Sequence, residues 1–248
     1  MEKSAYKIHI IGAGISGLIA AQILENHGYH PIVIEASSTV GGRVKSDQVN
    51  GYTLDHGFQV LLTSYPAAKK YLNYDGLDLQ KLLPGATIFK NGKAQTIGDP
   101  LRSLSLLFPT LLSSIGTLSD KVKILKLNSL LKKKKITAIF KTKEKTTLQY
   151  LKDFGFSNEI ITYFFTPFFS GIFLETTLET SSRMFEFVYK MFGDGLAVIP
   201  KNGMQAIPNQ LKDNLKKTTF KFNSLVKEVK DKHIILEDGN TLQSHITI

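Results

Sequence analysis

The sequence predicts an α/β protein in which a parallel-sheet nucleotide unit is interrupted by a mainly helical insertion. Three observations carry this. Residues 8–35 read in order as an apolar strand, a glycine turn, a helix, and a second strand ending in an acid. A long stretch from Asp99 to about Met191 has mostly helical periodicity. Strand and turn patterns return from Phe220 to Ile248. The chain has 248 residues, 42% of them hydrophobic, which is enough to bury a core and argues against global disorder.

The first element, Ile8-His9-Ile10-Ile11, runs into Gly12-Ala13-Gly14-Ile15-Ser16-Gly17. Each glycine has a physical role there. Gly12 permits the tight strand-to-helix turn. Gly14 lets a pyrophosphate approach the backbone, and Gly17 lets the helix pack closely on the strand. The helix continues through Leu18, Ile19, Ala21, Ile23 and Leu24 and closes at Asn26, His27 and Gly28. Its N-terminus offers unpaired N–H groups and about half a positive charge to phosphates. Ile32-Val33-Ile34 then leads to Glu35, 18 residues after Gly17. That carboxylate suits the ribose hydroxyls of an adenosine and repels a 2′-phosphate. A glycine-rich turn with a solvated strand end is the bland alternative, but it does not require the whole β-α-β unit to read correctly.

Gly41-Gly42-Arg43 follows closely, bringing more backbone and a permanently charged fork toward the same phosphates. Gly51 to Gln59 alternates like a strand and contains Asp55-His56-Gly57. Ser64 to Tyr74 reads as a short helix with Pro66 in its first turn. Thr87 to Ile97 reads as a hairpin about Asn91-Gly92. Helices are expected over Asp120–Lys134, Thr147–Phe154, Ser157–Phe165, Ser181–Phe192 and Gly203–Leu215. Residues 193–203, rich in glycine and proline, suggest a crossing between domains.

These motifs resemble the flavin-dependent amine oxidase, phytoene desaturase and protoporphyrinogen oxidase superfamily. The likeness extends to Phe168-Phe169-Ser170-Gly171-Ile172-Phe173-Leu174, Ser181-Ser182-Arg183-Met184-Phe185 and Gly203-Met204-Gln205-Ala206-Ile207-Pro208. It implies a Rossmann-like FAD-binding domain with an inserted, mainly helical substrate domain. The implied layout is 1–63 for the first FAD-binding segment, 64–195 for the insertion with its small hairpin, and 196–248 for the return. It implies FAD as cofactor, with Gly12, Ala13, Gly14, Ile15, Ser16 and Gly17 along the pyrophosphate and Glu35 and Ala36 at the adenosine ribose. Gly42 and Arg43 would clamp the phosphate and ribityl side. Gly57, Phe58 and Gln59 would lie near the isoalloxazine, and the backbone of Val226 would meet the adenine. Thr39, Thr166 and Asn202 depart from residues common in the family. Relatives continue well past Ile248, so an incomplete flavoprotein is expected: a fragment, a truncated product, or part of a split enzyme.

The implied activity is an FAD-dependent oxidoreductase moving a hydride from an apolar substrate, isoprenoid, carotenoid or porphyrin-like, to flavin N5. His56 is the one histidine placed near the flavin, either as a base or as a hydrogen-bonded loop residue, with Asp55 bracing that loop. The alternatives are a non-catalytic nucleotide-binding protein at a membrane surface and an NAD-dependent dehydrogenase, which leaves Gly41-Gly42-Arg43 unexplained. The aromatic cluster from Tyr163 to Phe173 is either helix core or the wall of an apolar cavity.

The chain contains no cysteine, which excludes disulfides, thiolate metal sites and cysteinyl-flavin links, and suits a cytoplasmic setting. No zinc spacing or hydrolase triad appears. The formal charge is +10, concentrated in Lys132–Lys135 and Lys141–Lys145. This block reads as a solvated helix end or as a contact with anionic membrane. Only Phe140 interleaves it, so nucleic acid is not an expected partner. Residues 101–118 are apolar but interrupted, fitting buried helices or a segment lying in a membrane interface.

Overall fold

The computed structural model describes residues 2–57, 59–98 and 102–248. The chain forms two compact units. One contains Met1–Leu61, Pro66–Gln80 and Val198–Ile248, and the other Leu62–Tyr65 and Lys81–Ala197. Residues 66–80, sequentially within the expected insertion, cluster with the nucleotide unit.

The first unit is built on a four-stranded parallel sheet. Its inner strands are β1 (Ile8–Ile11) and β2 (Ile32–Ile34). Thr219–Lys221 flanks β2, and Ile246–Thr247 flanks β1. Parallel strands covered on both faces need near-continuous apolar runs, and Ile8, Ile10, Val33 and Ile34 are all buried. α1 (Ile15–Asn26) crosses between β1 and β2. Its Leu18 and Ala21 pack with Ile10 and Val33, and with Leu211 of the Ala206–Asp213 helix. Gly28, at φ +85°, ends α1 as the sequence predicts. A ribbon of β3 (Ser46–Val49) and β4 (Tyr52–Asp55) turns at Asn50-Gly51, both in the left-handed region. A three-stranded antiparallel sheet from Val226 to Gln243 completes the unit.

His9 is the one polar side chain inside β1. It is buried, with Nδ1 2.9 Å from Ser244 Oγ. Burial, aided by the charges of Lys221 and Lys7, holds its pKa below the ordinary value of 6.5. The unfolded chain therefore takes up this proton more readily than the native one, and stability rises with pH through the ordinary histidine range. The expected result is a denaturation midpoint that drops as pH falls from above 6.5 and levels off below the native pKa. His9→Gln should flatten that limb in urea melts run across the range.

The second unit is mainly helical. Phe165, Phe169 and Phe185 are fully buried at its centre with Leu127, Leu131 and Leu151. Phe169 and Phe185 have ring centroids 4.8 Å apart, and Phe156 and Phe165 4.9 Å, within the range where aromatic pairs attract beyond their area. The heart of the aromatic cluster is thus core, while Tyr163 reaches the surface. The predicted hairpin forms from Gly85–Lys90 and Lys93–Gly98, with Asn91 and Gly92 at positive φ.

The helix expected from Asp120 runs from Leu118 to Lys133, because Thr117 and Asp120 make a capping box. Asp120 is buried and also accepts from Ser157 N–H and Oγ, at 2.9 and 2.7 Å, which fixes the start of the next helical stretch. Burial pushes its carboxyl up, but the donors from Ser157 and Thr117 outweigh this and hold it below the usual range.

Candidate functional site

The glycine turn opens where a phosphate would approach. Gly12 adopts φ +94° and donates its N–H to Ile34 O at 2.7 Å, which folds the chain sharply from β1 into α1. A Cβ on Gly17 would stand 2.1 Å from Gly12 O, so this position sets the contact between helix and strand. Gly14 differs: a Cβ there would meet nothing within 4 Å. It is also the N-cap of α1, and no side chain caps the helix. The first N–H groups of this 12-residue helix are therefore left without a side-chain cap, and the space in front of Gly14 is open. Ala13 is buried behind the turn, Ile15 is half-buried and Ser16 is exposed.

The second glycine pair completes the same cradle. Gly41 donates its N–H to Ala13 O at 2.9 Å and bridges Gly14 in parallel register. A Cβ on Gly42 would lie 3.5 Å from the Cα of Gly14. Arg43 next to it is exposed, and its guanidinium makes no hydrogen bond or ion pair among the described residues. Gly57 backs onto Arg43 O, 3.8 Å from where its Cβ would be. Three glycine segments separated in sequence thus converge beside one unpaired cation.

Glu35 closes the other end. Its two carboxylate oxygens accept from Ala13 N at 2.7 Å and Ser37 N at 2.8 Å. Burial raises its pKa, but these N–H donors and the charge of Lys45 outweigh that, and the group sits below the ordinary glutamate value. It is held ionised and oriented, and each oxygen keeps a second lone pair for a ribose hydroxyl. Ala36 is exposed beside it. Ser224 donates its N–H to Glu35 O at 2.9 Å, and Asn223 to Ser37 O at 3.1 Å. Val226 follows two residues later and packs with Ile34, so it lies on the Glu35 side of the sheet.

His56 is a hydrogen-bonded loop residue. Its Nε2 is 2.6 Å from Asp47 Oδ2 on β3, and both side chains are about half-exposed. Asp55 braces the chain: its Oδ1 accepts from Met204 N at 2.9 Å and from Ser46 Oγ. Ser46 Oγ in turn accepts from Gln205 N at 3.0 Å. This Ser46–Asp55 clasp seats the Gly203 turn on β3 and β4, a link that no local pattern predicts. Gln59 is exposed, and Phe58 lies outside the described residues. An amide-rich cavity of about 510 Å³ lies between β3 and the Ala206–Asp213 helix, but none of the cradle glycines lines it. The cradle, with its directed N–H groups and free arginine, is the better candidate for binding a charged nucleotide.

The family profile for flavin containing amine oxidoreductases matches residues 15–245. The chain belongs to that family. The chain is 28% identical over 172 residues to protoporphyrinogen oxidase 2 of Arabidopsis thaliana, across 68% of this chain and 32% of the relative. It is 40% identical over 72 residues to hydroxysqualene dehydroxylase of Zymomonas mobilis, across 28% of this chain and 17% of the relative. An oxidoreductase structure from Methanosarcina mazei superposes with a TM-score of 0.69 at 20% identity, covering 97% of this chain and 58% of that one. That likeness shows a shared α/β fold. The chain spans about a third of the length of the Arabidopsis relative.

Proposed function

We propose that this chain binds FAD through the glycine cradle and forms the nucleotide-holding part of an FAD-dependent oxidoreductase acting on an apolar substrate. The observation that carries the reading is the open approach at Gly14, faced by an uncapped helix N-terminus and flanked by Gly42 and Arg43. These residues fit a pyrophosphate, and Glu35 fits the adenosine ribose. When bound, FAD supplies two-electron redox chemistry, with N5 as the hydride acceptor.

The chain's own residues bind and orient. The N–H groups at Ile15 and Ser16 and the guanidinium of Arg43 hold the diphosphate. Glu35, fixed by Ala13 and Ser37, anchors the ribose, and the backbone at Val226 borders the adenine. Gly57, whose Cβ position is 3.8 Å from Arg43 O, and Gln59 would border the flavin side of the cofactor. An apolar substrate is favoured by the names of the two relatives, which refer to a porphyrinogen and a squalene derivative.

Arg43→Ala tests the assignment. Arg43 has no side-chain hydrogen bond or ion pair among the described residues, so the effect should fall on ligand more than on the fold. Losing a charge-assisted bond costs about 1.5–3 kcal/mol, roughly ten- to a hundredfold in FAD affinity. Flavin fluorescence titration of parent and variant reads this directly. Equal affinity in the two proteins would remove Arg43 from the site.

A further inference from the structure

The segment from Leu104 to Leu125 buries Leu106 and Ile115 but leaves most of its other large apolar side chains exposed. Several of its polar groups are tied down by hydrogen bonds. Thr110 Oγ1 receives the N–H of Gly98 at 3.0 Å, and Gln95 Oε1 on the hairpin accepts from Ser113 Oγ and Ser114 N. Lys121 Nζ donates to Leu111 O at 2.9 Å and Ser113 O at 2.8 Å, joining the end of the Leu107–Leu112 helix to the start of the next. Leu104, Phe108, Leu112, Leu118, Val122 and Leu125 are 48% to 82% exposed. Leu118, Val122 and Leu125 share one face of the Leu118–Lys133 helix, opposite the buried Asp120, Leu127 and Leu131. The hydrogen bonds that fix the polar side chains hold this apolar surface in place, and contiguous patches of this kind mark interaction sites.

The charge along this stretch of sequence is almost all of one sign. Residues 102–143 contain one arginine and nine lysines but a single acid, Asp120. That acid is buried and saturated with hydrogen bonds. Lys132 lies on the same helix face as Leu118 and Leu125, and Lys133 and Lys135 are exposed beside it. Two copies meeting through this face would set their lysines against each other. An anionic lipid surface rewards both features at once, the apolar side chains in the acyl boundary and the lysines against the headgroups. No helix among the described residues is long and apolar enough to cross a membrane, so the contact is peripheral.

We propose that the Leu104–Leu125 surface and the lysine cluster that follows it dock this protein on an anionic lipid bilayer. The proposal is independent of the nucleotide site. Flotation with phosphatidylcholine vesicles, with and without phosphatidylglycerol, tests it. The parent chain should float with the anionic vesicles only, and raised salt should weaken the partition. Phe108→Glu with Leu112→Glu should lower partition at least tenfold. Lys132→Gln with Lys133→Gln should lower it by about fivefold per lysine. Lys227→Gln with Lys230→Gln removes the same charge from the Val226–Lys230 strand and should change little. Three results would each overturn the proposal: no flotation of the parent, equal losses from the two lysine pairs, or no effect of the two glutamates. A parent dimer that Phe108→Glu dissociates, without vesicle binding, would assign the surface to a second copy instead.

Discussion

Gly14→Val is expected to abolish measurable FAD binding in a protein that still folds. The backbone at Gly14 has φ −71°, which valine adopts without strain, and its Cβ would meet nothing within 4 Å. The fold should lose no more than about 1 kcal/mol, the usual cost of a poor N-cap residue. The ligand should lose far more. The valine methyls would occupy the cleft between the first turn of α1 and Gly42, where the diphosphate must sit to receive its N–H donors. Each charge-assisted bond of that kind contributes about 1.5–3 kcal/mol, so losing two or more lowers affinity by over about a hundredfold. Gly17→Val gives the opposite pattern. Its Cβ would collide with Gly12 O at 2.1 Å, so the damage falls first on packing between α1 and β1. Parallel urea melts and FAD titrations of the two variants separate the ligand glycine from the packing glycine.

Asp120→Ala should strongly destabilise the helical unit. Its carboxylate accepts from Thr117 N and Oγ1, both at 2.8 Å, and from Ser157 N and Oγ. Alanine removes the acceptor that the Thr117 and Ser157 N–H groups share at this junction. The expected loss is about 3–4 kcal/mol, read as a lower urea midpoint at constant slope. Asp120→Asn restores part of it, since an amide oxygen still accepts but its NH₂ faces donors. Because native Asp120 binds its proton more weakly than the unfolded chain, this stabilisation is present above the ordinary carboxylate range. It is lost as pH falls through the lowered native value. A midpoint within about 0.5 kcal/mol of the parent for the alanine variant would show that Asp120 does not carry the junction.

The nucleotide unit was legible because its requirements are local. A tight turn, a backbone open to phosphate and an acid at the end of β2 each demand a residue type at a short, fixed spacing. Gly41-Gly42 was legible as a second glycine pair, but its register against Gly14 came only with the fold. Other features were missed for identifiable reasons. Asn50-Gly51 carries the same turn signal as Asn91-Gly92, yet β3 is short and polar, and its pairing with β4 left a weak alternation. The capping box at Thr117 and Asp120 has the right spacing, yet the expected helix begins at Asp120, its third residue, rather than just after the Thr117 cap. The strand at Ala197–Pro200 was hidden in a glycine- and proline-rich crossing. The Ser46–Asp55 clasp on Met204 and Gln205 joins residues about 150 apart, beyond any periodicity. Composition cannot distinguish an aromatic core from an aromatic wall, nor show that most leucines of Leu104–Leu125 are exposed.

The most direct measurement is the backbone amide spectrum of the isotope-labelled chain during FAD titration. Saturable shifts should centre on Gly14, Ile15, Gly42 and Arg43, with Glu35 and Val226 at the adenosine end. The Gly14→Val protein should show none of them. Amides of the cradle that stay in place at saturating FAD, or shifts confined to the amide-rich cavity at Gln48 and Gln205, would contradict the assignment of this turn as the flavin nucleotide site.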